Sequence, residues 1–283
     1  PFNGALDDLR IFNRALSVDE ISNLVEYNAS PGLVAHWKFD EKSGELAFDS
    51  GHNSNLGALV NFDGDDSQWV EGKVGGAISF NGSNYVEVPH DPSIGADLIN
   101  GFSVSAWFNS NVELAAGGSG NRMLEKGNSY FFLQGVGSGG MNFLVKKGGA
   151  NKTATTGETI DAGEWNHIVG VFDGENAIVY LNGEQKGSIA VPAPVDDAGL
   201  PLRIGSDDSG NFFDGSMDEV MIWNKPLSEE EVSALFTNEL NPDTDTAPAI
   251  TQDPGSMDTY EGGSIILTAK ASGSPPIKYL WLK

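Results

Sequence analysis

Residues 163–184 read GEWNHIVGVFDGENAIVYLNGE, two apolar runs separated by Asp173-Gly174 and closed by Asn182-Gly183. Val, Ile, Phe and Tyr fill both runs, and HIVGVF (167–172) and AIVYL (177–181) each have the length of a strand. Asp-Gly and Asn-Gly favour positive φ and suit tight turns between antiparallel strands. The stretch predicts a long hairpin. The same pattern continues outward in LVAHWKF (33–39), AISF (77–80), YVEV (85–88), FSVSAWF (102–108), YFFLQGV (130–136), MNFLV (141–145) and VMIW (220–223). Further turn dipeptides stand at Asn81-Gly82 and Asp214-Gly215. About a dozen such strands predict an all-β chain folded as a two-sheet antiparallel sandwich.

A repeat sets the limits of that sandwich. Residues 2–24 (FNGALDDLRIFNRALSVDEISNL) and 213–235 (FDGSMDEVMIWNKPLSEEEVSAL) align without gaps, with ten of 23 positions identical. So long a period marks an array of similar modules. It predicts that residues 1–30 are the tail of a preceding module, cut from a longer protein. It also predicts that 31–241 form a complete module whose first and last strands are neighbours. In each copy a serine (Ser17, Ser228) stands three positions before a glutamate (Glu20, Glu231). That capping box predicts a closing helix of one to two turns. Residues 242–247 read as a linker, and 248–283 as the start of a second kind of β domain.

Composition excludes several partners. Sixteen basic against forty acidic residues give a net charge of −24, which repels nucleic acid and anionic membranes. The chain has no cysteine, so disulfides and thiolate metal sites are excluded. No apolar run reaches the roughly 18 residues of a membrane span.

Residues 32–241 resemble the laminin G-like branch of the concanavalin A-like jellyroll superfamily, in its bacterial form. GLVAHWKFDEKSGELAFDSGHNSNLG (32–57), GKVGGAISFNGSNYVEVP (72–89), FSVSAWF, the hairpin, RIGS (203–206) and FDGSMDEVMIWNKPLSEEEVSAL follow one another in the family's order. Residues 1–30 resemble the last strand and helix of a preceding copy. Residues 248–283 resemble the first half of an immunoglobulin-like domain, with Trp281 at the position of the core tryptophan.

For a metal, the polar loop 49–57 offers oxygens from Asp49, Asn53, Asn55 and the Gly57 carbonyl. Hard cations such as Ca²⁺ take six to eight such donors. The alternative is a turn whose Asp and Asn side chains bond local backbone, with Asp218 capping a neighbouring amide. Strict alternation in the closing strand places Asp218 with Val220 and Ile222, at the rim of the core. A carboxylate there is costly unless paired or metal-bound. The resemblance implies a structural Ca²⁺ between this loop and Asp218.

For a ligand, Trp69 offers a ring that can stack on a sugar. Arg122, Glu125, Lys126, Tyr130, Asn142 and Lys146 fall on strands that would line the exposed face of one sheet. Such a row suits carbohydrate, and a plain solvated face reads the same. Trp37, Trp107, Trp165 and Trp223 read as core. Catalysis finds little support: Asp218 and Glu219 are adjacent, which alternation puts on opposite faces, and no strand carries an alternating carboxylate pair. The histidines His36, His52, His90 and His167 form no metal-ligand spacing, and no nucleophile elbow is present.

The expectation is a non-catalytic carbohydrate-binding or adhesion module with a structural calcium site, extracellular or cell-surface, from a large multidomain bacterial protein. Its partners would be a glycan or extracellular protein ligand and the neighbouring domains of the same chain. The rivals are a purely structural spacer in a surface array and an accessory domain of a secreted polysaccharide-degrading enzyme.

Overall fold

The computed structural model describes residues 32–237, apart from 52, 117, 119–120, 135–138 and 208. It also describes the backbone of 249–252 and 270–272. The expected tail of a preceding module, the linker and most of the expected immunoglobulin-like segment lie outside the described residues, as does His52.

The strands are β1 (Leu33–Trp37), β2 (Leu46–Ala47), β3 (Gly57–Val60), β4 (Trp69–Glu71), β5 (Gly76–Asn81), β6 (Tyr85–Val88), β7 (Phe102–Ser110) and β8 (Arg122–Lys126). They continue as β9 (Tyr130–Gln134), β10 (Met141–Lys147), β11 (Ala150–Thr155), β12 (Trp165–Phe172), β13 (Asn176–Leu181), β14 (Glu184–Ala190), β15 (Leu202–Ile204) and β16 (Asp214–Trp223). One helix, α1 (Glu229–Phe236), follows. Further on, β17 (Ala249–Gln252) and β18 (Lys270–Ser272) pair antiparallel with each other.

Two antiparallel sheets result. The first runs β14-β13-β12-β7-β16-β5-β4, with β1 also paired to β16, and the second runs β11-β10-β9-β8-β15-β6-β3-β2. The first strand thus lies against the last, Leu33 opposite Trp223 and Trp37 opposite Val220. The hairpin read from 163–184 is β12-β13, with Ile168 opposite Leu181. Asn182 and Gly183 turn β13 into β14 with φ of 52° and 81°, the positive values that asparagine and glycine tolerate best. Asp214-Gly215, read as a turn, instead opens β16 and pairs with Asn81 and Phe80.

The core fills the space between the sheets. Trp37, Phe80, Phe108 and Phe172 of the first sheet meet Val86, Phe132, Phe143 and Ile204 of the second, all buried. Phe102 joins the two layers, with ring centroids 4.8 Å from Tyr130, 5.9 Å from Phe172 and 6.1 Å from Phe143. Each side chain buried in this way contributes about 1.5–3 kcal/mol. A second, smaller cluster seals the outer face of the first sheet. Val232 and Leu235 of α1 pack with Leu33, Val169, Val171, Tyr180, Met221 and Trp223. The capping box forms as expected: Ser228 Oγ accepts from the Glu231 N–H (3.3 Å), and Glu231 Oε2 from the Ser228 N–H (2.9 Å).

Candidate functional site

The residues expected to share one cation separate into two groups. Asp49 Oδ1 accepts from the backbone N–H groups of His36 and Gly51, 2.7 Å each. Its Oδ2 accepts from the Asn55 N–H (2.7 Å) and the Asn55 amide (3.2 Å). The Asn53 and Asn55 amides turn toward the Val34 carbonyl, and the Asn55 carbonyl receives the indole N–H of Trp37 at 2.9 Å. Gly57 lies in β3, opposite Ala47. The loop is a turn built around one carboxylate, whose oxygens already hold four donors. Burial raises the Asp49 pKa even so, against those N–H groups. Trp37 stands between this loop and Asp218, bridged to Asp49 on one side and paired with Val220 on the other.

Asp218 sits elsewhere because β16 is bulged. Its register against β7 shifts between Asp218 and Met221, and Glu219 has φ 50°. The extra residue moves the phase of the strand by one. Met217 and Val220 therefore both face the inter-sheet core, while Asp218 pairs with Trp107, whose ring stacks on Phe236 of α1. The expectation that Asp218 shares a face with Val220 and Ile222 is corrected, and so is the placement of Asp218 and Glu219 on opposite faces. Both carboxylates are buried. Asp218 Oδ2 accepts from the Val74 N–H at 2.8 Å, and Glu219 Oε2 meets His36 Nε2 at 2.8 Å. Asp218 Oδ1 and Glu219 Oε1 have no partner among the described residues. Desolvation above all, then the neighbouring Glu219 charge, pushes Asp218 up to about 8. Asp40 adds to that repulsion, and its Oδ1 accepts from the Gly76 N–H at 2.6 Å. The backbone of the intervening loop passes close to this carboxylate: a Cβ on Gly72 would stand 2.7 Å from Asp218 Oδ2. Among the described residues no three histidine or carboxylate side chains gather around one point. Asp218 keeps one oxygen without a partner among the described residues, whereas both oxygens of Asp49 are taken up by the N–H groups of the turn.

The expected ligand row divides by strand alternation. Arg122, Asn142 and Lys146 face outward from the second sheet, together with Phe131, Leu133, Leu144, Arg203, Glu87 and Tyr85. Tyr130 and Lys126 point the other way. Tyr130 is buried beside Phe102 and donates its hydroxyl to the Ile94 carbonyl at 3.0 Å, so it is corrected from ligand residue to core. Lys126 is sealed against the Leu200 carbonyl and His90. Trp69 lies on the first sheet, half-buried against the core, with its indole N–H on the Gly44 carbonyl at 3.3 Å. It does not join the row. Trp37, Trp107 and Trp223 are buried as expected, and Trp165 is half-buried.

Sequence reading missed the hub of this face. Asp207 accepts from Arg122 Nε (2.8 Å), the Asn211 amide (2.7 Å) and the backbone N–H groups of Ser209 (2.7 Å) and Asn211 (2.9 Å). Arg203 donates to the Asp207 carbonyl (3.1 Å) and to Glu87 (3.0 Å), and its guanidinium lies 5.1 Å over Tyr85. One signal was available: Arg122 and Arg203 are the only arginines between residues 32 and 237. Two lone arginines in so acidic a chain invite the question of what they share.

Known structures share the architecture. Domain 4 of AbnA, a GH43 extracellular arabinanase from Geobacillus stearothermophilus solved with arabinotriose, superposes with a TM-score of 0.57 at 23% identity. The match covers 72% of this chain and 97% of that one. The binding domain of Paraclostridial Mosquitocidal Protein 1 gives 0.55 at 18%, covering 74% and 53%. Trypanosoma rangeli sialidase, bound to the inhibitor DANA, gives 0.55 at 13%, covering 78% of this chain and 38% of the enzyme. At these identities the likeness is one of fold. No curated protein matches the chain. Residues 80–233, more than half of the chain, match the family described as the concanavalin A-like lectin/glucanases superfamily, in its laminin G form. With its jellyroll sandwich and this match, the chain belongs to that superfamily.

Proposed function

We propose that the chain is a non-catalytic carbohydrate-binding module of an extracellular, multidomain protein, and that its ligand face is the outer face of the second sheet. The observation that carries this reading is the asymmetry of the two outer faces. The first is closed by α1 and an apolar cluster. On the second, among the described residues, no helix packs, and Arg122, Leu133, Asn142, Lys146, Arg203 and Tyr85 remain half-buried. Polar groups and partly exposed rings on a rigid sheet are what a glycan's hydroxyls and C–H faces require. The arabinotriose in the arabinanase domain supports the reading by analogy of fold.

The burial of Asp218 and Glu219 supports the non-catalytic part, since a glycosidase acid and its nucleophile must touch the scissile bond. Among the described residues no helix is long and apolar enough to cross a membrane. Calcium stays in the proposal at a different place from the loop first expected. Asp218 and the exposed Asp40 would hold it, and the ion would supply the positive charge that buried Asp218, beside Glu219, lacks. A glycan array probed with and without calcium tests the function. Retention of any glycan class supports it, and a blank array under both conditions returns the chain to the role of a spacer.

A further inference from the structure

We infer that the row Arg122–Leu133–Asn142 is a subsite for a carboxylated sugar, with Asp207 as the residue that positions Arg122. The inference rests on the carbohydrate-binding reading above and narrows it to a chemical class. Arg122 and Leu133 are cross-strand partners on β8 and β9, and Leu133 is partnered by Asn142 on β10. Their side chains stand in one line across the outer face, about 10 Å from first to last at the spacing of adjacent strands. A short oligosaccharide bridges that distance.

Each member offers a different chemistry. The Nε edge of Arg122 is held by Asp207, which leaves the terminal Nη1 and Nη2 groups without a protein partner among the described residues. The Arg122 side chain is 27% exposed, whereas that of Asp207 is almost wholly buried. Two parallel N–H groups match a carboxylate better than any single hydroxyl. Leu133 gives an apolar surface for the C–H face of a ring. Asn142 is half-buried in line with Leu133, and its Oδ1 has no partner among the described residues.

Asp207 is what makes the fork specific. It is 4% exposed, and three donors from Ser209 and Asn211 fix its carboxylate before Arg122 arrives. An arginine held at one edge loses less freedom on binding at the other. The net charge of −24 opposes an anionic ligand at long range. That field is screened beyond about 8 Å at physiological ionic strength, whereas the fork acts in contact.

The test compares carboxylated glycans with their own methyl esters, which keep the backbone and lose the charge. A panel of uronate polymers and sialylated oligosaccharides, each beside its ester, is titrated against the whole chain. At least one acid form should bind, and binding should fall roughly ten- to a hundredfold on esterification. Arg122→Gln should erase the preference for acid over ester, Arg122→Lys should retain part of it, and Asp207→Asn should reduce it while thermal melting confirms a folded protein. If glycans bind but every acid and ester bind alike in wild type and Arg122→Gln, the carboxylate subsite is overturned and the carbohydrate-binding reading survives. If no glycan of any class binds, both are overturned.

Discussion

Asp207 and Asp218 lie eleven positions apart, are almost equally removed from water at 4% and 0% exposure, and titrate in opposite directions. Burial raises both. At Asp207, on the open face, donors from Asn211, Ser209 and Arg122 outweigh it and bring the pKa below the ordinary value. At Asp218, under the sealed face, only the backbone N–H groups of Val74 and Glu219 stand against burial and the neighbouring Glu219 charge, and the pKa rises to about 8. Burial alone therefore does not decide the state of a carboxylate; the number of donors reaching it does. The open face keeps a formed ion pair ready beside solvent, and the sealed face keeps two carboxylates short of positive charge.

The largest consequence concerns Asp218. The unfolded chain ionises this group near 3.8, whereas the folded chain keeps the proton to about pH 8. The folded state therefore binds the extra proton between those values, and stability is lost as pH rises through the window. In chelator, wild type should lose about 4 kcal/mol relative to Asp218→Asn between pH 5 and pH 8, at about 1.4 kcal/mol per unit. Saturating calcium should restore wild type and leave the variant unchanged. Urea unfolding across pH with and without calcium checks both. A wild type parallel to the variant in chelator would show that Asp218 is ionised and satisfied without a metal.

Next in size is the contrast of apolar side chains on the two faces. Leu235→Ala, under α1, should cost about 3 kcal/mol, because Leu235 is buried against Val171, Tyr180 and their neighbours. Leu133→Ala, half-exposed on β9, should cost under about 1 kcal/mol. Equal costs in denaturant would erase the asymmetry on which the ligand face rests.

Asp207→Asn should destabilise by about 2 kcal/mol at neutral pH, through loss of charge-assisted bonds to Arg122 and Asn211. Its sign is opposite to that of Asp218. A lowered folded pKa gives stability that is present above the unfolded value of 3.8 and is lost as pH falls through the folded one. Wild type and variant should therefore converge in acid. At Asp49 the effect should be no larger than at Asp207. Asp49→Ala removes four accepted bonds at a cost of about 1–2 kcal/mol, and no dependence on calcium is expected, because N–H groups of the turn take up both carboxylate oxygens. A calcium-dependent shift in its melting would return Asp49 to the ligand set.

The framework of the fold was legible because its signals are local. Alternation and Asn-Gly turns marked β12, β13 and the turn to β14, and the Ser228/Glu231 spacing marked the start of α1. The repeat located the closing strand, and β1 does pair with β16. The phase of β16 was misread because strict alternation was carried through MDEVMIW. Met217 and Val220, apolar and three apart, were the visible sign of an extra residue. Tyr130 and Lys126 were misplaced for a similar reason: residues were grouped by strand before being divided by face. The Asp207 hub was not legible, since Arg122, Arg203 and Asn211 converge on it through register between β8 and β15 and through the loop after β15. Which of the turn and the metal would claim Asp49 was open in sequence, because both use the same oxygens.

The measurement that tests the central claim most directly is a backbone amide NMR titration of the whole chain with a glycan retained on the array. The account predicts that shifts cluster at residues 122–126, 130–134, 141–147 and 202–204, the strands β8, β9, β10 and β15 of the open face, while β12, β13 and α1 stay unmoved. Shifts confined to the first sheet and α1, with those four strands silent, would contradict it.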